Sequence, residues 1–426
     1  MIVKDEYYKP KRKYKWGTII PLIGGMTIGN MKATGNKPEF LISYPEFASN
    51  DKHIKQYLSD VPFLLLDSNT NEFFETTEEK SDFNKVNFEN VDFVSAVCPC
   101  SGLSLMNVST NKDSKYSRGS HAAQNEWMYK TAEFILEKIK PKVFFGENAP
   151  GLFTRIGEGV VENLKNIGSK YGYTFSLYKT NTIFHGIPQK RERTFYFFWK
   201  EKNKVPIFSQ YRRKYKPIGE YLKEIPKDAI YQDIFPGIKT LKGISFIEFI
   251  KQKEGKKWRK VLNELKTCSN YIVKNELIDE MIDWINNTNI ELDEKEKKNS
   301  LKFLNHMKEK MAIGKGWWDS TPHFFAEKTN AVVSRLISHG VHPEEERGLN
   351  LRELMYLMGM PHDFQLVNLK HVNHIAQNVP VNTARDITFE VLKYLDGNAI
   401  FEETTFLKQN NINNNIFVLN TSKKLF

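Results

Sequence analysis

Short apolar runs alternate with helical patterning between residue 17 and about residue 200, and this alternation constrains the fold more than any other feature of the sequence. "GTIIPLIGG" reads as a strand entering a glycine turn, "FLISYPEF" and "PFLLLD" as further strands, and "DFVSAV" as a strand that stops just before Cys98. Met128, Ala132, Ile135 and Ile139 then recur at spacings of four, three and four, so they line one face of a helix that Pro141 ends. "KVFFG" follows as a buried strand. Strand, helix and strand in that order predict right-handed parallel crossovers and a doubly wound α/β sheet, in which ligands sit beyond the carboxyl ends of the strands.

At 426 residues the chain can hold one large core and a second domain, because single cores stop growing near roughly 250–300 residues. Its 40% hydrophobic and 27% charged residues describe a soluble globular protein. No apolar run nears the ~20 residues needed to span a bilayer, and the amino terminus "MIVKDEYYKPKRKYKW" lacks a signal-peptide core. No membrane association and a cytoplasmic location are expected. Cys98, Cys100 and Cys268 are too few and too unevenly spaced for a disulfide framework or a four-ligand zinc site, so no metal is expected. A net charge of +11 favours a polyanionic partner, although lysine and asparagine richness also follows from an AT-rich genome.

After about residue 200 the pattern turns basic and helical. "EYLKEI", "SFIEFIKQKEGKKWRKVLNEL", "ELIDEMIDWINN" and "EKKNSLKFLNHMKEKM" read as helices, and the asparagine-rich ending reads as a loose tail. Two clusters here mix cations with indoles, "KEGKKWRK" around Trp258 and "GKGWWD" around Trp317 and Trp318. Such pairs suit phosphates and bases, whereas a tryptophan at helical spacing is more often core.

Chemistry gathers at the strand ends. Cys100 follows Pro99 where the "DFVSAV" strand stops, which puts a thiol at the sheet edge; taken alone, such a cysteine is more often an inert small hydrophobe. Glu147 and Asn148 follow the "KVFFG" strand, so a carboxyl group stands at the same edge, unless the pair merely caps a helix. "HGIPQKRERTFYFFW" sets Gln189, Arg191 and Arg193 at alternate positions entering a strand, so both guanidinium groups point one way, towards an anion or into solvent.

Taken in order, these segments resemble the DNA cytosine-5 methyltransferases. The family's succession is a glycine turn, a ribose-binding acid, Pro-Cys, Glu-Asn-Val, Gln-x-Arg-x-Arg, a variable region, an Arg-x-Leu-Thr segment and a closing segment. Here these look like "PLIGG", Glu46, Pro99-Cys100, Glu147-Asn148-Ala149, Gln189 to Arg193, a long gap, "HPEEERGLNLRELMYLMGMPHDF" and "HIAQNVPVNTA". The resemblance implies a Rossmann-like methyltransferase sheet with a second, smaller, mostly helical target-recognition domain. It divides the chain into a catalytic and cofactor-binding domain at 1–200, a target-recognition domain at 201–325, late motifs returning to the catalytic domain at 326–400, and a tail at 401–426.

The implied activity is methyl transfer from S-adenosylmethionine to C5 of a flipped-out cytosine in double-stranded DNA, by a monomer in a bacterial or phage-infected cell, in a restriction-modification, phage or orphan setting. By resemblance Cys100 attacks C6, Glu147 shares a proton with N3, Arg193 supports the target ring, and Arg191 holds the thiol or phosphate side. The cofactor set implied is Ile23, Gly24 and Gly25 near the methionine part, Glu46 on the ribose hydroxyls, Phe47 flanking adenine, Asp67 on the adenine amino group, with Pro99 and Asn378.

Several positions depart from the family pattern. Leu22 stands where the first glycine of the turn belongs, Ile20 replaces an aromatic residue, Ser101 replaces the glutamine after Pro-Cys, and Ala376-Gln377 replace a Gly-Asn pair, with Asn378 displaced by one. Two other functions compete. One is an RNA cytosine-5 methyltransferase of the tRNA-modifying kind, although Cys98 is ill placed as a second catalytic cysteine. The other is a catalytically silent DNA-binding homologue.

Overall fold

The computed structural model describes residues 2–74, 86–104, 118–229, 243–332, 340–367 and 373–412. The described residues divide into two compact units, one built from the chain up to Tyr215 and again from Met358 onward, the other from Lys216–Leu357.

The first unit is organised by a nine-stranded mixed sheet with strands β1 (Trp16–Ile19), β2 (Phe40–Ser43), β3 (Phe63–Leu66), β4 (Phe73–Phe74), β5 (Phe93–Val97), β6 (Val143–Asn148), β7 (Thr174–Asn181), β8 (Glu192–Trp199) and β9 (Phe406–Asn410). Their order is β9-β7-β8-β6-β5-β1-β2-β3-β4. The central strands β3, β2, β1, β5 and β6 run parallel, while β8 lies antiparallel between β6 and β7, and β4 is an antiparallel edge. From β1 the chain builds outward through β2 and β3, then returns to β5 on the opposite side of β1. The carboxyl ends of β1 and β5 therefore flank the switch point, where an open α/β sheet leaves its crevice.

The apolar runs form these strands because both faces are covered. All residues of β1, β2, β3, β5 and β6 are buried. Trp16 stacks on Phe93 at 5.4 Å, and Phe145, Phe197 and Trp199 continue the layer through stacked pairs at 5.6 and 5.2 Å. One buried polar cluster in the sheet is satisfied internally: Ser95 Oγ meets Thr18 Oγ1 at 3.1 Å and accepts from Asn30 Nδ2 at 2.8 Å, while Thr388 Oγ1 donates to Asn30 Oδ1 at 2.7 Å. These bonds tie β1 and β5 to the helix Gly25–Thr34 and to the last long helix, Val381–Leu395.

The compact units divide the chain differently from the domains expected from the sequence. Residues 406–410 belong to β9, which pairs in parallel with β7, although they were expected within a tail. Their polar alternation suits an edge strand, where Phe406 and Leu407 are buried and Lys408 is half-buried. Residues 413–426 of that tail lie outside the described residues. Residues 326–357, expected with the catalytic domain, pack instead with 216–325. Ile218 N donates to Glu327 O at 2.9 Å and Tyr221 Oη to Tyr356 O at 3.2 Å, closing the second unit on itself. Residues 201–215, expected in the target-recognition domain, stay with the first unit through the strand Val205–Ile207, which pairs with Ile400–Glu402.

The second unit is mostly helical. Helices Ile244–Glu254, Trp258–Leu265, Cys268–Lys274, Ile278–Asn287 and Glu294–Ala312 enclose a core that includes Phe246, Ile250, Leu262, Ile272, Met281, Leu304 and Met307. Helix Leu351–Tyr356 begins with a capping box between Asn350 and Glu353. Among the described residues no helix is long and apolar enough to cross a membrane.

Candidate active site

Cys100 lies three residues past the end of β5, half-exposed, where the backbone turns into the short 3₁₀ segment Ser101–Leu103. Two features shape this turn. Asn148 Nδ2 donates to Pro99 O at 3.4 Å, and Gly151 backs against Leu103, where a Cβ would come within 2.2 Å of the carbonyl oxygen. Burial pushes the Cys100 thiol pKa up; the Arg193 guanidinium opposes this most, Glu147 adds to it and Arg191 opposes it. Cys98 differs from it. It is buried, its Sγ is 3.6 Å from Tyr196 Oη, and desolvation raises its pKa to about 11.

Glu147 lies within β6 rather than after it, in register with Val97 of β5 on one side and Phe195 of β8 on the other. Its side chain is buried, with Arg193 Nε 2.7 Å from Oε1. Burial raises the carboxyl pKa, and the charges of Arg193 and Arg191 pull against it. A thiol and a protonatable acid thus occupy the ends of adjacent parallel strands, and two guanidinium groups act on both.

Arg191 is turned into the protein rather than towards solvent. It is 1% exposed, and its Nη2 donates to Ala376 O at 2.8 Å and Asn378 O at 2.9 Å. Desolvation lowers its pKa to about 9. The loop preceding it is fixed by His185, whose Nδ1 meets Asp386 Oδ2 at 2.9 Å while Arg213 Nε reaches the same oxygen at 2.7 Å.

Asn378 links this end to the glycine turn. Its Oδ1 accepts from Gly25 N at 2.8 Å and its Nδ2 donates to Met360 Sδ at 3.0 Å, so the side chain props the turn. Gly25 has no room for a side chain, since a Cβ would meet Val379 O at 2.1 Å and Asn378 Oδ1 at 2.2 Å. Gly24 adopts φ 104°, and Ile23 is buried behind it. Leu22 and Ile20 both hold φ 50°, in the left-handed region that favours glycine.

Beyond β2, Glu46 is exposed in the turn Pro45–Phe47. Phe47 is half-buried, its ring centroid 4.9 Å from that of Trp127, which also packs on Tyr44 at 5.0 Å. Trp127 and Tyr44 were not singled out from the sequence; the one available signal was an aromatic residue opening the amphipathic helix after Cys100. Beyond β3, Asp67 Oδ1 accepts from Asn69 N at 2.8 Å and Thr70 N at 2.9 Å, bonds that lower its pKa and engage one carboxylate oxygen in the turn. The helix after Glu46, Ala48–Tyr57, is pinned to the closing segment: Asn50 Nδ2 donates to Gln377 Oε1 at 3.0 Å, and His53 Nε2 lies 3.3 Å from His374 Nδ1. Among the described residues no group of histidine, cysteine, aspartate and glutamate side chains is arranged to hold a metal ion.

A family model for C-5 cytosine-specific DNA methylases matches residues 23–393. The chain belongs to that family. M.Bpa9945I, a type II methyltransferase of Bacillus paralicheniformis, is 25% identical over 315 residues, which cover 65% of this chain and 64% of that protein. The chain therefore spans under two thirds of that relative. M.BbvI, a type II methyltransferase of Brevibacillus brevis, is 24% identical over 318 residues, covering 72% of this chain and 70% of its own. A solved structure described as a candidate DNA modification methyltransferase encoded within an E. coli prophage superposes with a TM-score of 0.52 at 16% identity, covering 90% of this chain and all of that one, a likeness of fold. The family model runs through both compact units of this C-5 cytosine methylase and includes every candidate catalytic residue named above.

Proposed function

We propose that the protein transfers a methyl group from S-adenosylmethionine to C5 of a cytosine extruded from duplex DNA. The observation that carries this reading is the placement of Cys100 and the Glu147–Arg193 pair at the ends of neighbouring parallel strands, beside the glycine turn at the switch point. The residues suit such a donor: an exposed carboxylate at Glu46 for ribose hydroxyls, the half-buried rings of Phe47 and Trp127 for a purine face, and the Gly24–Gly25 turn for the amino-acid part.

C5 of cytosine becomes nucleophilic only after C6 has gained a substituent. The Cys100 thiolate forms a bond to C6, electron density moves from C5=C6 towards N3, and Glu147 gives N3 its proton. Burial raises the Glu147 pKa and so favours the protonated acid that gives this proton, while Arg193 fixes the carboxyl and favours the thiolate. When bound, S-adenosylmethionine supplies the methyl group that C5 accepts. Loss of the C5 proton restores C5=C6, expels Cys100 Sγ and returns the N3 proton to Glu147. Extruding the base costs a few kcal/mol, offset by contacts in the pocket.

The test is methyl-labelled donor incubated in parallel with cytosine-containing duplex DNA and with tRNA. Label is expected at C5 of cytosine in the duplex. Label in tRNA alone would make the substrate RNA, and label in neither would reject an enzyme.

A further inference from the structure

The two tryptophan clusters of the second unit part company in the fold. Trp258 packs against the helical core, its ring 5.8 Å from Phe324 and flanked by Lys251 and Arg259. Trp317 is half-buried against the same core, but Trp318 is 45% exposed. It closes an eight-residue stretch, 311–318, that also exposes Met311 and, at 61%, Ile313. The apolar face of the helix Glu294–Ala312 explains Met311: Leu304 and Met307 are buried, and Met311 continues their row past the end of the core.

The opposite face of that helix is basic. Lys295, Lys298 and Lys302 recur at spacings of three and four, so they share one exposed face. None of them forms an ion pair among the described residues, whereas Lys297 and Lys308 are paired with Glu294 and Asp279. Glu309 lies on the same face and lowers its net charge. Unpaired cations in a row suit a polyanion, and exposed apolar side chains past the helix's carboxyl end suit sugars and base edges.

We infer that this helix face and the 311–318 tip form a contact surface for duplex DNA, with Lys295, Lys298 and Lys302 on backbone phosphates and Ile313 and Trp318 in a groove. The inference rests on the reading of DNA as substrate. It names which part of the second unit meets DNA, and it does not depend on the chemistry at Cys100.

Full-length protein without cofactor, titrated by fluorescence anisotropy against a cytosine-free poly(dA)·poly(dT) duplex over a range of NaCl concentrations, tests it. Replacing all three lysines (K295Q/K298Q/K302Q) is expected to flatten the plot of log affinity against log salt by roughly 2.7, about 0.9 for each phosphate no longer neutralised. The pair I313S/W318A is expected to weaken binding on the order of tenfold with the slope unchanged, since apolar contacts release no counterions. These side chains are exposed, so near-ultraviolet circular dichroism and cofactor-product binding should match the wild type. Wild-type affinity and slope in both variants would overturn the inference. So would a wild-type dimer in sedimentation that I313S/W318A dissociates without any change in DNA binding, because a second copy would then be the occupant. Binding through this surface without methyl transfer to any duplex would reject the proposed function and leave the surface standing.

Discussion

Arg193→Ala should destabilise the protein in a way that depends on pH, because of Glu147. That carboxyl is buried, its pKa is raised by desolvation, and Arg193 Nε is 2.7 Å away. Without the guanidinium, folding would leave a charge buried with its closest partner gone, and Glu147 escapes this by taking up a proton. An unfolded glutamate titrates near 4.3, and keeping the folded group protonated costs about 1.4 kcal/mol for each pH unit above that value. The loss is therefore capped at about 4 kcal/mol at pH 7 and about 1 kcal/mol at pH 5. The sign follows from a folded pKa raised above the unfolded one: stability is fully present below the unfolded pKa and falls as pH rises towards the folded value. In the wild type Arg193 offsets part of that fall. Thermal unfolding at both pH values should show R193A lower in Tm than wild type by up to roughly 10 °C at pH 7 and by no more than about 3 °C at pH 5. The double variant E147Q/R193A, lacking the carboxyl, should lose this pH dependence. Equal falls in Tm at both pH values, or a double variant that keeps the dependence, would refute the reasoning.

Three further outcomes are expected. Iodoacetamide should alkylate Cys100 before Cys98, with a rate still climbing as pH passes 9; E147Q, which removes a charge that raises the thiol pKa, should shift that profile to lower pH. Mass mapping of the alkylated cysteine checks both points. Arg191→Met removes two charge-assisted bonds to the carbonyls of Ala376 and Asn378, and should weaken S-adenosylhomocysteine binding, read by calorimetry, roughly tenfold or more, through loss of the segment that supports Gly25. Gly25→Ala should cost about 1–3 kcal/mol or more of stability through overpacking against Val379 O and Asn378 Oδ1, while Gly316→Ala, with open space at its Cβ, should leave the Tm within about 1 °C.

The central strands were legible because burial on both faces forces continuous apolar runs, as in "FLIS", "FLLL" and "FVSAV", and because order along the chain then fixes which strand ends adjoin. Cys100 and Glu147 could be brought to one edge by that logic alone. Strand β9 was missed since "FLKQN" carries only two apolar residues at the sheet margin and sits beside an asparagine-rich run. The partners of Arg191 were out of reach: a guanidinium bonded to carbonyls 185 and 187 positions away leaves no local pattern. The bond from Gly25 N to Asn378 Oδ1 was out of reach for the same reason, being set by packing between distant segments. The first compact unit runs on to residue 215 rather than to about 200 because Val205–Ile207 pairs with Ile400–Glu402, a contact with no signature in composition.

The central claim is that Cys100 forms a covalent bond to C6 of cytosine. It is tested most directly by incubating the protein and S-adenosylmethionine with duplex DNA in which 5-fluorocytosine replaces cytosine, followed by intact-mass measurement. Fluorine at C5 blocks the proton loss needed for release, so the wild type should accumulate an adduct of protein plus methylated DNA, mapped to the peptide carrying Cys100, while Cys100→Ala should form none. An adduct of equal yield in Cys100→Ala, or none in the wild type under conditions where it binds the duplex, would contradict the account.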